Sequence, residues 1–357
     1  MKKAFRNAGT ASDLIMKRSV LRNVRKRPEG VLFGAMPGAD AAWLALPQEY
    51  CDSANDENGG KSGKENHSGE FLLLRSSGYA SSELPEEVGR MAYYRAESNM
   101  AAEGGVICDI QVYIQAGRKT PEDAIRAEMH YLTEMTKKEN VSISGGNTTF
   151  FGDTKDYSIL ISAVGRPMKD AAVHKKIEPG DKLIFFGNVG DYGAGVLAEN
   201  RYDMLRERFS DSYIEEMKKG KKLSDIGALA AKLYASGCVK KMHDVSFGGI
   251  YEALFQLSNY AGCGVSVLHE GLLIRQETIE LSEFFGINPY MLLGTGGLLV
   301  AAAPEHEKDI LDIAEGGSIV GSFTKEGERM VYSDTFPMKR ILTPVEHDEI
   351  YNVMLGE

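Results

Sequence analysis

The sequence predicts a mixed α/β (α+β) protein of two domains, and three observations carry that expectation. The chain has 357 residues, and at roughly 100–200 residues per domain this length suggests two. Short apolar runs of strand length alternate with longer segments of helical spacing, the pattern of mixed α/β folds. Turn chemistry at Arg166-Pro167 and at Glu178-Pro179-Gly180-Asp181 interrupts that pattern and sets a domain boundary there. The expected division is a basic segment 1–30, an N-terminal domain 31–168, a C-terminal domain 169–340 and a tail 341–357.

The first 28 residues hold nine Lys or Arg against one acid, Asp13. Leu14, Ile15, Val20, Leu21 and Val24 give this segment one apolar helical face, and Pro28 and Gly30 end it. Its basic face reads as solvated surface. Val31 to Phe33 is a short apolar run, and Ala41 to Leu46 reads as a strand. Residues 47–70 contain almost nothing apolar and read as a flexible surface loop. A buried strand follows at Phe71–Leu74 and a helix at Pro85–Ala102. Ile110, Val112 and Ile114 alternate in a strand from Ile107 to Ile114. Pro121 opens a helix to about Lys138. Strands at Val141–Ile143 and Tyr157–Val164 flank a glycine-rich loop. The second half begins with the strand Lys182–Phe186. Helices are expected at 193–200, 210–219, 223–236, 249–261 and 305–315, with strands near 264–268 and 298–303.

Composition excludes several classes. A formal charge of −10 argues against a general nucleic-acid binder. Cys51, Cys108, Cys238 and Cys263 have neither zinc-ligand nor disulfide-framework spacing. No apolar run reaches the ~18 residues of a membrane span. No signal-peptide core is present either, so the expected setting is cytoplasmic.

Four segments place glycines beside polar side chains at element ends: Gly38-Ala39-Asp40-Ala41-Ala42, Ser144-Gly145-Gly146-Asn147-Thr148-Thr149, Gly187-Asn188-Val189-Gly190-Asp191-Tyr192-Gly193 and His243-Asp244-Val245-Ser246-Phe247-Gly248-Gly249. Glycine lets backbone N–H groups approach a phosphate. A helix N-terminus favours an anion, and a nearby carboxylate can hold magnesium against phosphate oxygens. Each segment alone is as well read as a turn.

Taken in order, these segments resemble the superfamily of aminoimidazole-ribonucleotide (AIR) synthase, selenophosphate synthetase, thiamine-monophosphate kinase and the hydrogenase-maturation protein HypE, the PurM-like proteins. Gly38-Ala39-Asp40-Ala41-Ala42 resembles the family's glycine–double-Asp–Ala–Ala motif. Ser98-Asn99-Met100-Ala101-Ala102-Glu103-Gly104 is similar to its Ser-Asp-Ile-Ala-Ala-Met-Gly segment. Gly145-Gly146-Asn147-Thr148 stands for its Gly-Gly-Asp-Thr loop, and Gly190-Asp191-Tyr192-Gly193 resembles HypE's Gly-Asp-His-Gly. Met242 to Gly249 is similar to its methionine–Asp–Gly-Gly segment. Ile274 to Pro289 and Gly297 to Ala301 look most like HypE. The resemblance runs over roughly residues 30–325.

The resemblance implies a PurM-like architecture: an N-terminal mixed-sheet domain pairing across a homodimer, a C-terminal α/β domain, and ATP with Mg2+ between them. It implies phosphorylation of an amide or carbamoyl-type oxygen on a small molecule or partner protein, with a place in hydrogenase-type metallocentre maturation. Gly38, Asp40, Asn99, Gly145, Gly146, Asn147, Thr148, Gly190 and Asp191 would bind the nucleotide. Asp40, Asn99 and Asn147 would bind the metal, and Asp244 would face the reacting group as the catalytic residue.

This chain also departs from the pattern. Ala39 replaces one Asp of the double-Asp motif, and Asn99 and Asn147 stand where acids are expected. Arg75-Ser76-Ser77 replaces a Thr-Asp end. Neutral amides do not supply the charge that compensates a dication. HypE uses a C-terminal cysteine to carry its carbamoyl group, whereas no cysteine follows Cys263 here. Two alternatives therefore stand: a catalytically degraded dimeric nucleotide-binding scaffold or sensor, and a small-molecule kinase or ligase. His243 and Asp191 read as structural groups. Trp43 either fills core or reshapes the nucleotide pocket.

Overall fold

The computed structural model describes residues 20, 31–34, 36, 38–47, 70–84, 86–169, 171 and 175–355. The basic N-terminal helix, Val20 apart, and the polar loop over 48–69 lie outside the described residues.

The first sheet contains β1 (Val31–Phe33), β2 (Ala42–Pro47), β3 (Glu70–Ser81), β4 (Gly105–Gly117), β5 (Ser142–Phe151) and β6 (Tyr157–Pro167). Its order is β1-β2-β3-β6-β4-β5, antiparallel except for the parallel β4–β5 pair. Strand periodicity sends Leu74 and Ala80 of β3, Ile110, Val112 and Ile114 of β4, and Ile159 and Ile161 of β6 to buried positions. There they meet α1 (Val88–Ala102), whose small Ala92 and Ala96 are fully buried. A second helix, α2 (Glu122–Lys138), has acids in its first turn and lysines in its last, matching the helix dipole.

The second sheet has the order β13-β12-β9-β11-β7-β10-β8, built from β7 (Lys182–Phe186), β8 (Val239–Val245), β9 (Gly264–Leu268), β10 (Gly297–Ala302), β11 (Gly317–Thr324), β12 (Arg329–Tyr332) and β13 (Lys339–Ile341). Its only parallel pair among the described residues is β12–β9. The helices of this half are α3 (Asp191–Asn200), α4 (Tyr202–Leu205), α5 (Asp211–Lys218), α6 (Ile226–Ala235), α7 (Gly249–Ala261), α8 (Gln276–Phe285), α9 (Glu307–Ile313) and α10 (Glu349–Met354). β7 and β10 read as continuous apolar runs because both of their faces are covered. Leu183, Phe185, Leu299 and Ala301 enter one core, and Ile184, Phe186, Leu298 and Val300 enter the other. That other core is continuous with the residues between α1 and the first sheet, and α1 also packs on α6 and β8. Helix α1 is therefore common to both halves, and its C-terminal end brings first-half residues to β8.

One expectation fails clearly. Ser144 to Thr149 is not a loop but the middle of β5. Gly146 sits at φ +149°, and an added Cβ would lie 1.8 Å from Val112 O. The ladder to β4 shifts register just before it. The glycine pair is thus accounted for by strand pairing at an irregularity.

Candidate functional site

The site is assembled where β8 ends. Lys241 and His243 are two apart and share a face. The Lys241 side chain is fully buried. Its ammonium donates to Glu103 Oε1 at 2.7 Å, to Met242 O at 2.5 Å and to Asp40 Oδ2 at 3.3 Å. Glu103, just past α1, also accepts the Asp40 N–H at 2.9 Å. His243 Nδ1 lies 2.7 Å from Asp40 Oδ1 and 2.9 Å from Oδ2. Its Nε2 lies 3.2 Å from Gln256 Oε1 on α7. Gln256 Nε2 donates to Glu252 Oε1 at 2.8 Å, and Glu252 Oε2 accepts the Val345 N–H at 2.7 Å.

Beside this network lies a cavity of about 470 Å3, lined from the first half by Asp40, Ser77, Arg95 and Asn99, and from the second by Asp244 and Phe247 among others. This volume falls within the ~300–1,000 Å3 range of ligand pockets. Arg95 donates to Tyr79 O and to Glu86 and lies 4.6 Å over the Phe247 ring, which fixes one wall. Asp244 is 9% exposed, and no described hydrogen bond or ion pair uses its carboxylate.

Two neighbouring carboxylates are therefore tuned in opposite directions. Burial alone would raise Asp40, but the His243 and Lys241 charges outweigh it and hold its pKa below the usual range. Burial pushes Asp244 up to about 7, and the Asp40 charge adds to that. Burial disfavours the charged His243, yet Asp40 prevails and its pKa is raised.

The structure brings Asp40, Asn99 and Asp244 to one cavity, as the sequence suggested. Gly38 acts through packing: at φ +77°, an added Cβ would lie 2.7 Å from Gln256 O, so glycine lets the turn before Asp40 press against α7. Gly145, Gly146, Asn147 and Thr148 do not reach the cavity; they lie in the exposed strand β5. Gly190 caps α3 in a left-handed conformation. Asp191 ties α3 to α8, accepting from Thr278 Oγ1 at 3.0 Å and from Arg275 at 3.2 Å. Trp43 is fully buried and donates to Glu103 O, so it fills core. Sequence reasoning missed Lys241, Arg95, Glu252 and Gln256 and took His243 as structural. The available signal was a lysine two residues before His243 in a strand whose Val239, Met242 and Val245 are apolar.

The residue set expected for magnesium does not come together. Asn147 is on β5, and the Asn99 amide donates to Ser77 O at 2.9 Å. Asp40 carries an imidazole and an ammonium on its oxygens. Magnesium prefers an all-oxygen octahedron with carboxylate charge, and these residues do not supply one.

Residues 178–333 match the AIR synthase related protein C-terminal domain, and two-sheet structures of the same kind align with both halves. In its C-terminal half and in its fold the chain is similar to AIR-synthase-related, PurM-like proteins. The chain is 21% identical over 266 residues to a hydrogenase expression/formation protein of Methanocaldococcus jannaschii, covering 72% of this chain and 76% of that one. It is 22% identical over 269 residues to carbamoyl dehydratase HypE of Azotobacter vinelandii, covering 70% and 73%. Among solved structures, HypE in complex with ATP superposes with a TM-score of 0.64 at 16% identity, over 83% of this chain and 90% of that one. ThiL complexed with AMPPCP and TMP gives 0.60 at 17%, over 84% and 89%. The fold expected from the resemblance is thereby borne out.

Proposed function

We propose that the protein is a HypE-like, ATP-dependent protein that phosphorylates an amide or carbamoyl-type oxygen in hydrogenase-type metallocentre maturation. One observation carries this reading: residues from both halves meet around a single cavity, with a buried carboxylate, Asp244, on its wall that has no hydrogen bond or ion pair among the described residues. A carboxylic acid whose pKa stands near 7 can take or give a proton at neutral pH, which supports Asp244 as the group that faces the reacting atoms. The relatives named for carbamoyl dehydration, and the HypE structure holding ATP, support the nucleotide and substrate class. None of the described cysteines lines the cavity. The carbamoyl-type group therefore arrives on a small molecule or on a partner protein; a HypE–HypF complex exists among the structural relatives. The working form is a homodimer closed over the outer face of the first sheet, where Tyr79, Val106 and Leu160 are exposed. No helix among the described residues is long and apolar enough to cross a membrane, and we place the protein in the cytoplasm.

A second reading is favoured by the ion pairs on Asp40: a nucleotide-binding scaffold or sensor without turnover. Calorimetry of the full chain with ATP, followed by phosphate release in the presence of carbamoyl donors, separates the two. The enzyme reading expects ATP binding tighter than ~1 mM, lost in Ser77→Trp, which fills the cavity from an exposed strand position. It also expects phosphate release lowered by about 100-fold or more in Asp244→Asn. Binding without release leaves the sensor, and no binding at millimolar ATP overturns both.

A further inference from the structure

We propose that Cys238, His306 and Asp309 hold a zinc-class transition ion at the far end of β8 from the cavity, with three protein donors and a fourth position open to solvent. The Cys238 sulfur, one His306 ring nitrogen and one Asp309 carboxylate oxygen all lie within 4.8 Å of one another. Thiolate, imidazole and carboxylate together are a zinc donor set, whereas magnesium takes oxygen ligands. His306 Nδ1 and Asp309 Oδ2 are 3.7 Å apart. That is too long for a hydrogen bond, and it matches the roughly 3.3–3.8 Å edge of a tetrahedron whose arms are about 2.0–2.3 Å. Among the described residues no hydrogen bond uses the His306 ring or the Asp309 carboxylate, and the Cys238 thiol donates to Ser236 O at 3.4 Å.

The sequence separates Cys238 from the other two, and the fold joins them. Cys238 leads directly into β8, whose first residue, Val239, pairs with Ala302 at the end of β10. Beyond Ala302 the chain turns at Pro304, and the His306 N–H donates to Ala303 O at 3.0 Å. His306 caps α9 and Asp309 lies three residues on, a spacing that puts both on one side of the first turn. The strand ladder thereby sets that turn beside Cys238. The backbone is held on both sides of the cluster. Val239 and Ile310 are buried, the Cys238 N–H donates to Ser236 Oγ at 3.2 Å, and the Gly237 N–H donates to Tyr234 O at 3.0 Å. Donors on so fixed a backbone close on an ion by small side-chain rotations. Cys238 is partly buried, whereas the His306 and Asp309 side chains are 38% and 64% exposed. An ion can therefore enter from solvent, and a water can complete its shell.

β8 is an edge strand of the second sheet. Its other end carries His243 and Asp244, roughly 15–20 Å along the strand from Cys238. An ion at Cys238 ties the start of that edge to α9. It stabilises the folded chain by mass action, because the unfolded chain does not hold the three donors together. Binding converts the thiol to a thiolate and releases its proton to solvent. The site uses no residue of the cavity and no nucleotide, so its test is independent of the nucleotide reading.

The test is a titration of the reduced, chelator-treated full chain with Co2+, read by near-ultraviolet and visible absorption. One equivalent is expected to bind with a thiolate-to-cobalt charge-transfer band, which Zn2+ is expected to bleach. Cys238→Ser should abolish the band, while Cys108→Ser and Cys263→Ser keep it. His306→Gln should weaken binding by more than about 100-fold, beyond the roughly 10- to 100-fold that groups behind the ligands cost. Zn2+ should also slow iodoacetamide labelling of Cys238 by more than about 10-fold, and leave labelling of the exposed Cys108 unchanged. Thermal melting checks that each variant folds; if Cys238→Ser does not fold, His306→Gln and the labelling still decide. Absence of the band at millimolar Co2+ overturns the site. So does a band that survives in Cys238→Ser, unaltered affinity in His306→Gln, or labelling of Cys238 that Zn2+ does not slow. Cobalt absorption without a charge-transfer band places the ion on oxygen and nitrogen donors elsewhere and overturns it as well.

Discussion

Two acid–base clusters, both flagged by glycine-rich segments, end in different conditions. At the start of α3, Asp191 is raised by burial against the pull of Arg275, and its bonds to Arg275 and Thr278 tie two helices together. That cluster closes on itself. At the end of β8, Asp40 is satisfied by Lys241 and His243, but the adjacent Asp244 is left unpaired on a cavity wall. The difference teaches that a conspicuous motif is not in itself a site. What distinguishes the second cluster is a buried polar group that the described side chains leave without a hydrogen bond or ion pair.

The largest effect that sharpens this contrast is expected at Lys241. Replacing it with Met strands the buried Asp40 and Glu103 and should cost about 3–5 kcal/mol in urea unfolding. A loss below about 1 kcal/mol would mean that the cleft pair is no stronger than the surface one.

An intermediate effect is expected at Glu97 on α1, which lines a separate cavity with Tyr93, Glu139 and Asp225. Burial first, then Glu139 and Asp225, push its pKa up to about 7. The unfolded chain gives up this proton near pH 4.5, whereas the folded chain keeps it until about pH 7. Stability from this group is therefore full below 4.5 and is lost as pH rises to 7. Glu97→Gln should flatten that slope by about 2 kcal/mol in unfolding series across this range. An unchanged slope would contradict the assignment.

The smallest effect is expected at the closed cluster. Arg275→Ala removes a partly exposed contact to Asp191 and should cost about 1 kcal/mol or less, with ATP binding unchanged. A loss of ATP affinity there would erase the distinction between the two clusters.

Much of the first half was legible because its period-two and helical patterns are clean: Ile110, Val112 and Ile114 alternate in β4 as expected. The strand β8 was not legible, since Lys240, Lys241, His243 and Asp244 break its apolar pattern, and the last three of these build the site. Gly145 and Gly146 misled because a glycine needed for close strand pairing and one needed for phosphate approach look alike in sequence. The carboxylates at Asp40 and Asp244 were found by motif. Their opposite tuning was not, because it depends on burial and on His243 and Lys241, which meet Asp40 only through the packing of the first half on β8.

The most direct test of the central claim, that nucleotide enters the cavity between the two halves, is photo-crosslinking of the full chain with an azido-ATP analogue and mapping of the modified peptides. The account predicts adducts competed by ATP and confined to peptides carrying Ser77–Tyr79, Asn99 or Ser246–Phe247, which line the cavity. Competed adducts on β5, or on the α3–α8 face around Asp191, would contradict it.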